Sequence, residues 1–170
     1  MLGQCRLSLW GLILALCWTG ALQAQHLKSP WPSRLAQPAI DWVDESGKTW
    51  NRSQLAGKTV VINFWATWCA PCLDELPSLQ TLREFSRDTN VVVLTVNVKD
   101  PVSRIHQFVS RNGFTFPVVS DRQGALARLW GVKVYPTSVL VSPQGKSVWV
   151  IEGAVDWTGR EADEWIRSLQ

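Results

Sequence analysis

The sequence predicts an α/β domain in which a mixed central sheet is flanked by helices. Three patterns carry that prediction. Val60-Val61-Ile62-Asn63-Phe64-Trp65 is a nearly continuous apolar run, as expected of a strand covered on both faces. Helix and strand patterns then alternate from Ala70 to Trp130. The chain closes with two strand-like runs and a helix, so the last strands pair as a hairpin. A chain of 170 residues with 46% hydrophobic and 18% charged residues suits one packed domain rather than a disordered segment. The net charge of +3, without a long basic run, excludes the concentrated basic face of a nucleic-acid binder. The 11 Trp residues follow no period, so a solenoid is excluded too.

Residues 1–24 read as an export signal. Arg6 precedes the uncharged apolar stretch Leu7–Trp18, and Gly20, Ala21 and Ala24 supply the small residues of a cleavage region. A retained membrane anchor is the alternative, although an apolar stretch of about sixteen residues falls short of the roughly 20 that span a bilayer. Residues 25–37, with Pro30 and Pro32, are expected as an extended leader, and residues 38–170 as the folded domain. This partition places Cys5 and Cys17 in the signal and leaves Cys69 and Cys72 in an exported, extracytoplasmic domain such as a periplasmic protein. A bridge between cysteines three apart closes too small a loop to staple the fold.

Ile40–Trp50, with Ser46-Gly47 at its centre, predicts a small N-terminal hairpin. After the Val60–Trp65 strand, Leu73, Leu76, Leu79, Leu82 and Phe85 recur at helical spacing and predict one buried face of a helix over Ala70–Ser86, kinked at Pro77. Val91–Val98 is the next strand. Asp100-Pro101 predicts an N-cap and first helical residue, and Asn112-Gly113 the end of that helix. Phe116–Ser120 predicts a short strand and Gln123–Trp130 a short helix closed by Gly131. Ser138–Ser142 and Ser147–Glu152 flank the turn sequence Pro143-Gln144-Gly145-Lys146. Thr158 and Glu161 have capping-box spacing at the start of the final helix.

The strand–Cys69-Ala70-Pro71-Cys72–helix arrangement carries the chemistry. It places Cys69 where unpaired N–H groups and the helix dipole stabilise a thiolate, with Cys72 close enough to resolve a mixed disulfide. Cys69 is therefore expected as the exposed nucleophile and Cys72 as the more buried resolving thiol. Trp68 is expected as an apolar platform beside Cys69, whereas Trp65 belongs to strand packing. The pair itself carries two electrons, so no cofactor is required.

Phe64-Trp65-Ala66-Thr67-Trp68-Cys69-Ala70-Pro71-Cys72, followed by Glu75-Leu76-Pro77 and Tyr135-Pro136-Thr137, resembles the thioredoxin fold. More narrowly, with the added strand–helix unit of Val91 to Gly113, it resembles the exported TlpA/ResA/DsbE-like thiol–disulfide oxidoreductases. The resemblance implies a cis Tyr135–Pro136 bond facing the cysteine pair, with the Tyr135 backbone open to an extended substrate. It also points to Glu75, three residues after Cys72, as the base in resolution once burial raises its pKa. Asn63 stands where thioredoxin typically has a titrating Asp. The alternative for Glu75 is a solvated charge assisting the helix dipole, which is the role expected of Asp74.

The resemblance further favours reduction of protein disulfides, including those of apocytochromes c or copper-centre assembly proteins, with a membrane electron donor to restore the dithiol. A dithiol oxidant is the alternative direction. A zinc or copper site is disfavoured because two cysteines are half a tetrahedral set and neither His26 nor His106 has ligand spacing to them. A peroxidase is disfavoured because Ile62 and Ala66 occupy the offsets where its Pro and Thr would precede the nucleophile.

Overall fold

The computed structural model describes residues 26–86 and 89–170. The expected signal or anchor lies outside the described residues. Among those described, no helix is long and apolar enough to cross a membrane.

Six strands form a mixed sheet in the order β1-β8-β7-β4-β5-β6, and β2 pairs with β3 in a separate two-stranded sheet. The central strand β4 (Thr59–Trp65) is buried along its whole length. It pairs parallel with β5 (Val91–Val98) and antiparallel with β7 (Thr137–Val141). Beyond these lie β6 (Val118–Asp121) on one side, and β8 (Ser147–Glu152) and β1 (Leu27–Pro30) on the other. The period-2 alternation of a strand divides β4 between two cores. Val61 and Trp65 pack with α2 (Ala70–Phe85), α3 (Val102–Asn112) and α5 (Arg160–Arg167). Val60, Ile62 and Phe64 pack on the other face with α1 (Arg52–Leu55), α4 (Ala125–Leu129) and the hairpin of β2 (Asp41–Val43) and β3 (Thr49–Asn51).

Much of the tryptophan goes into that second core. Trp130 meets Trp31 and Trp42 edge-on, with centroids 5.8 and 5.6 Å away, and Phe64 lies 6.2 Å from it. Gly131, which ends the α4 segment, has φ +69, and a Cβ there would stand 2.8 Å from the Leu35 side chain. The left-handed backbone favours glycine, and an added Cβ would also displace the end of the Leu35 side chain.

Several expectations change. The extended leader expected over residues 25–37 joins the fold at Leu27–Pro30, which form the edge strand β1 against Trp149–Glu152. Pro30 is tolerated there because an edge strand has no neighbour on one side to receive its missing N–H. Phe85 is 78% exposed rather than buried. The third helix begins one residue late, with Pro101 as N-cap, because the Asp100 carboxylate is engaged elsewhere. The final helix has Gly159 as N-cap, since the Thr158 hydroxyl donates to Asp156 instead of capping it.

Asp44 pins the β2–β3 turn. Its Oδ1 accepts from Ser46 N, Ser46 Oγ and Lys48 N at 2.9, 2.6 and 3.0 Å, and its Oδ2 accepts from Trp50 Nε1 at 2.8 Å. Burial works to raise its pKa, but these donors outweigh it and hold the carboxyl below its ordinary range. Asp44→Ala should therefore cost about 2 kcal/mol, read by urea denaturation at neutral pH, by leaving the buried indole donor unpaired. The Asp44 contribution is present above the unfolded-state carboxylate pKa and is lost as pH falls through the lower folded value.

Candidate functional site: a disulfide above a buried carboxylate

The β4 strand ends at Trp65, and four residues later Cys69 is the N-cap of α2. Cys69 and Cys72 form a disulfide with S–S 2.05 Å and Cα–Cα 5.3 Å. The Cys69 Sγ accepts from the Cys72 backbone N–H at 3.3 Å, so the sulfur occupies the helix's N-terminal donor site. When the bond opens, negative charge on that sulfur meets the same donor and the positive end of the helix dipole. Pro71 in the first turn removes an N–H that no helical bond needs. Cys69 is the less buried of the two, at 7% against 1%, but it is far from open as a residue.

Trp68 projects beside Cys69 and is 56% exposed. Its ring meets that of Tyr135 edge-on, with centroids 5.8 Å apart, which brings the cysteine loop and the loop before β7 together. The Tyr135–Pro136 bond is cis. Pro136 is buried, and its carbonyl accepts from Gly153 N at 2.9 Å. Trp65 is fully buried. The two histidines pair with carboxylates away from the cysteines, His26 with Glu161 at 3.2 Å and His106 with Glu45 at 3.0 Å.

Glu75 is 3% exposed, so the solvated-charge alternative is excluded, whereas Asp74 is exposed. Its Oε1 accepts from Asn63 Nδ2 at 3.0 Å and from Trp157 Nε1 at 2.5 Å. Asn63 donates in turn to Ser138 Oγ at 2.9 Å, its direct partner across β4 and β7. Burial pushes the Glu75 carboxyl up to about 8, against the opposing effects of Trp157 and the Val155 backbone. A carboxyl that titrates there is matched to a thiol of pKa about 8.5 and can exchange a proton with it near neutrality.

Asn63 follows from strand alternation, since it shares the Val61 and Trp65 face that receives α2. Trp157 and Asp100 had no such signal. Asp100 is 2% exposed and grips the loop before Cys69. Its Oδ2 accepts from Thr67 N at 2.7 Å and Asn97 Nδ2 at 3.0 Å, and its Oδ1 accepts from Thr67 Oγ1 at 2.8 Å.

Asp100→Ala should lower stability by about 2–3 kcal/mol in urea titrations, because it strands several donors at once. Glu75 generates a pH prediction of defined sign. Between the ordinary value of 4.5 and about 8 the folded protein holds a proton that the unfolded chain has lost. Stability should fall as pH rises through that window, by up to about 1.4 kcal/mol per unit, and level off above it. Glu75→Gln, which mimics the protonated form, should flatten this slope in denaturation curves taken from pH 5 to 8.

The AhpC/TSA family model matches residues 34–150. The chain is 37% identical over 112 residues to the thiol-disulfide oxidoreductase ResA of Geobacillus thermodenitrificans, covering 66% of this chain and 64% of that protein. It therefore spans a little under two thirds of that relative's length. With ResA of Geobacillus kaustophilus it is 36% identical over 118 residues, covering 69% of this chain and 68% of the other. Among solved structures, a secreted thiol-disulfide isomerase from Corynebacterium glutamicum superposes with TM-score 0.69 at 29% identity, covering 78% of this chain and 84% of that one. With a thioredoxin-like sheet, a Cys-x-x-Cys disulfide capping α2 and these relatives, the chain belongs to the AhpC/TSA family and, within it, to the ResA-like thiol–disulfide oxidoreductases.

Proposed function

We propose that this protein exchanges electrons between the Cys69–Cys72 pair and the cysteines of extracytoplasmic protein substrates, working as a reductant. The observation that carries this reading is the disulfide at the N-terminus of α2, on the same helix as the buried Glu75. In the reductive direction the Cys69 thiolate attacks a substrate disulfide, forms a mixed disulfide and expels one substrate thiolate. Cys72 then gives its proton to Glu75 and attacks Cys69 Sγ. The Cys69–substrate bond breaks, and its electron pair leaves on the second substrate sulfur. The substrate disulfide is thus reduced to two thiols as the protein's dithiol becomes a disulfide.

Trp68 and the Tyr135–Pro136 loop are the surfaces on which an extended substrate lies, Trp68 by apolar contact and Tyr135 by its backbone. The sulfur pair supplies the redox capacity, with no cofactor. Apocytochromes c and metal-centre assembly proteins are the proposed clients, and a membrane protein that carries electrons outward is the proposed donor. Export by residues 1–24, with cleavage or retention as an anchor, goes with that location. At the positions where a peroxidase would carry Pro and Thr stand Ile62 and Ala66, both fully buried and apolar, which favours disulfide over peroxide as substrate.

Two measurements test the proposal. Equilibration of the protein with dithiothreitol or glutathione couples should give a reduction potential near thioredoxin's, about −270 mV, or modestly above. A value near −120 mV would reverse the direction to disulfide donation. Cys69→Ser should abolish turnover of a protein disulfide while leaving the fold unchanged by circular dichroism. Retained turnover would remove Cys69 as nucleophile.

A further inference from the structure

Two buried donors converge on one oxygen of Glu75. Trp157 Nε1 and Asn63 Nδ2 both reach Oε1, at 2.5 and 3.0 Å, while Oε2 has no hydrogen-bond partner among the described residues. An indole N–H can only donate, so the Trp157 contact is unambiguous in polarity. A carboxylate oxygen that already accepts two donors is a poor place for a proton, because an added O–H would face N–H groups. Oε2 is the oxygen left open.

Trp157 does not belong to α2. It lies between β8 and α5, and the site holds it firmly: it is 2% exposed, and its backbone N–H donates to Ser78 Oγ at 3.1 Å. The Ser78 hydroxyl is in contact with the carbonyls of Glu75 and Val155 at 2.8 and 3.3 Å, which ties the segment carrying Trp157 to the helix turn carrying Glu75. The indole's direction is therefore fixed by backbone contacts as well as by core packing.

We infer that Trp157 is a positioning residue for proton transfer: with Asn63 it saturates Oε1 of Glu75, so that Oε2 takes the Cys72 proton during resolution and later returns it. The inference rests on the reading of Glu75 as the proton acceptor. The proton moves from Cys72 Sγ to Glu75 Oε2, the Cys72 sulfur forms its bond to Cys69 Sγ, and the substrate sulfur leaves with the electron pair. Donation from Trp157 favours the ionised carboxylate against the burial that opposes it. The groups that face Glu75 are neutral. They are Asn63 from β4, whose amide also contacts Ser138 on β7, and the Val155–Trp157 segment, which brings the Trp157 indole and the Val155 backbone, both favouring the ionised carboxyl. The neighbouring carboxylates Asp74 and Asp156 are exposed.

The test uses the reduced protein and a symmetrical aromatic disulfide that releases one coloured thiolate at attack and a second at resolution. In the wild type, the second release should accelerate as pH rises through the Glu75 titration, and Glu75→Gln should remove that dependence. Trp157→Phe should move the midpoint upward by about one pH unit, making the second release about tenfold slower below it, and leave the first release unchanged. Equal slowing of both releases with an unmoved midpoint would overturn the inference and leave Trp157 a packing residue. A second measurement needs no folded Trp157 variant. In 15N-labelled wild-type protein, one indole N–H resonance should titrate with the midpoint of the second release and stop titrating in Glu75→Gln. Absence of such a resonance would overturn the contact. A second release indifferent to Glu75→Gln would sink the underlying reading, whereas a midpoint set by Glu75 but not by Trp157 would sink this inference alone.

Discussion

The whole site depends on a strand covered on both faces. Every residue of β4 is buried, so each side chain must satisfy a core on its own side of the sheet. Val60, Ile62 and Phe64 do so in an aliphatic core that also holds Trp31, Trp42, Trp50 and Trp130. On the other face Val61 and Trp65 do the same, and between them sits Asn63. A buried amide without partners would cost stability, and β4 meets that cost with Ser138 on the adjacent strand and Glu75 on the overlying helix. The packing that makes the strand central thus also buries a carboxylate on the sheet-facing side of the cysteine helix.

The same strand aims the sulfur. Its last residue, Trp65, is locked in the core, and the short loop to Cys69 is gripped at Thr67 by the buried Asp100 carboxylate. Asp100 comes from the end of β5, the strand parallel to β4, so two adjacent strands end at the same edge of the sheet and share one anchored loop. Cys69 then begins α2 with its sulfur at the helix donor site. Rigidity of this kind suits thiol exchange, in which the attacking sulfur must align with the substrate's sulfur–sulfur bond.

Electrostatically, the site combines two opposed environments on one helix. At the N-terminus, a backbone donor and the dipole favour negative charge on Cys69. Six residues further along, burial disfavours negative charge on Glu75 and keeps it protonated toward neutral pH. In the proposed two-step exchange, a sulfur eased into its charged form and a carboxyl held near its neutral form would divide the proton work.

Much of this was legible from residue order. The apolar run of β4, the helical repeat after Cys72 and the Cys-x-x-Cys spacing are local patterns, and local patterns follow from the alternation of strands and the pitch of helices. They placed Cys69, Cys72 and Glu75 on one helix, and the family resemblance added the cis bond before Pro136. Other features required the third dimension. Phe85 keeps the helical period yet is 78% exposed, so the core contact of the last turn of α2 ends at Leu82. Leu27–Pro30 has little strand character but is captured as an edge by β8. Asp100 has the composition of an N-cap but turns to Thr67, and Trp157 lies 82 residues from the carboxylate it binds. Local spacing determined which residues share an element. Which elements meet was decided by the packing of separate segments around β4, and that pairing has no period to read along the chain.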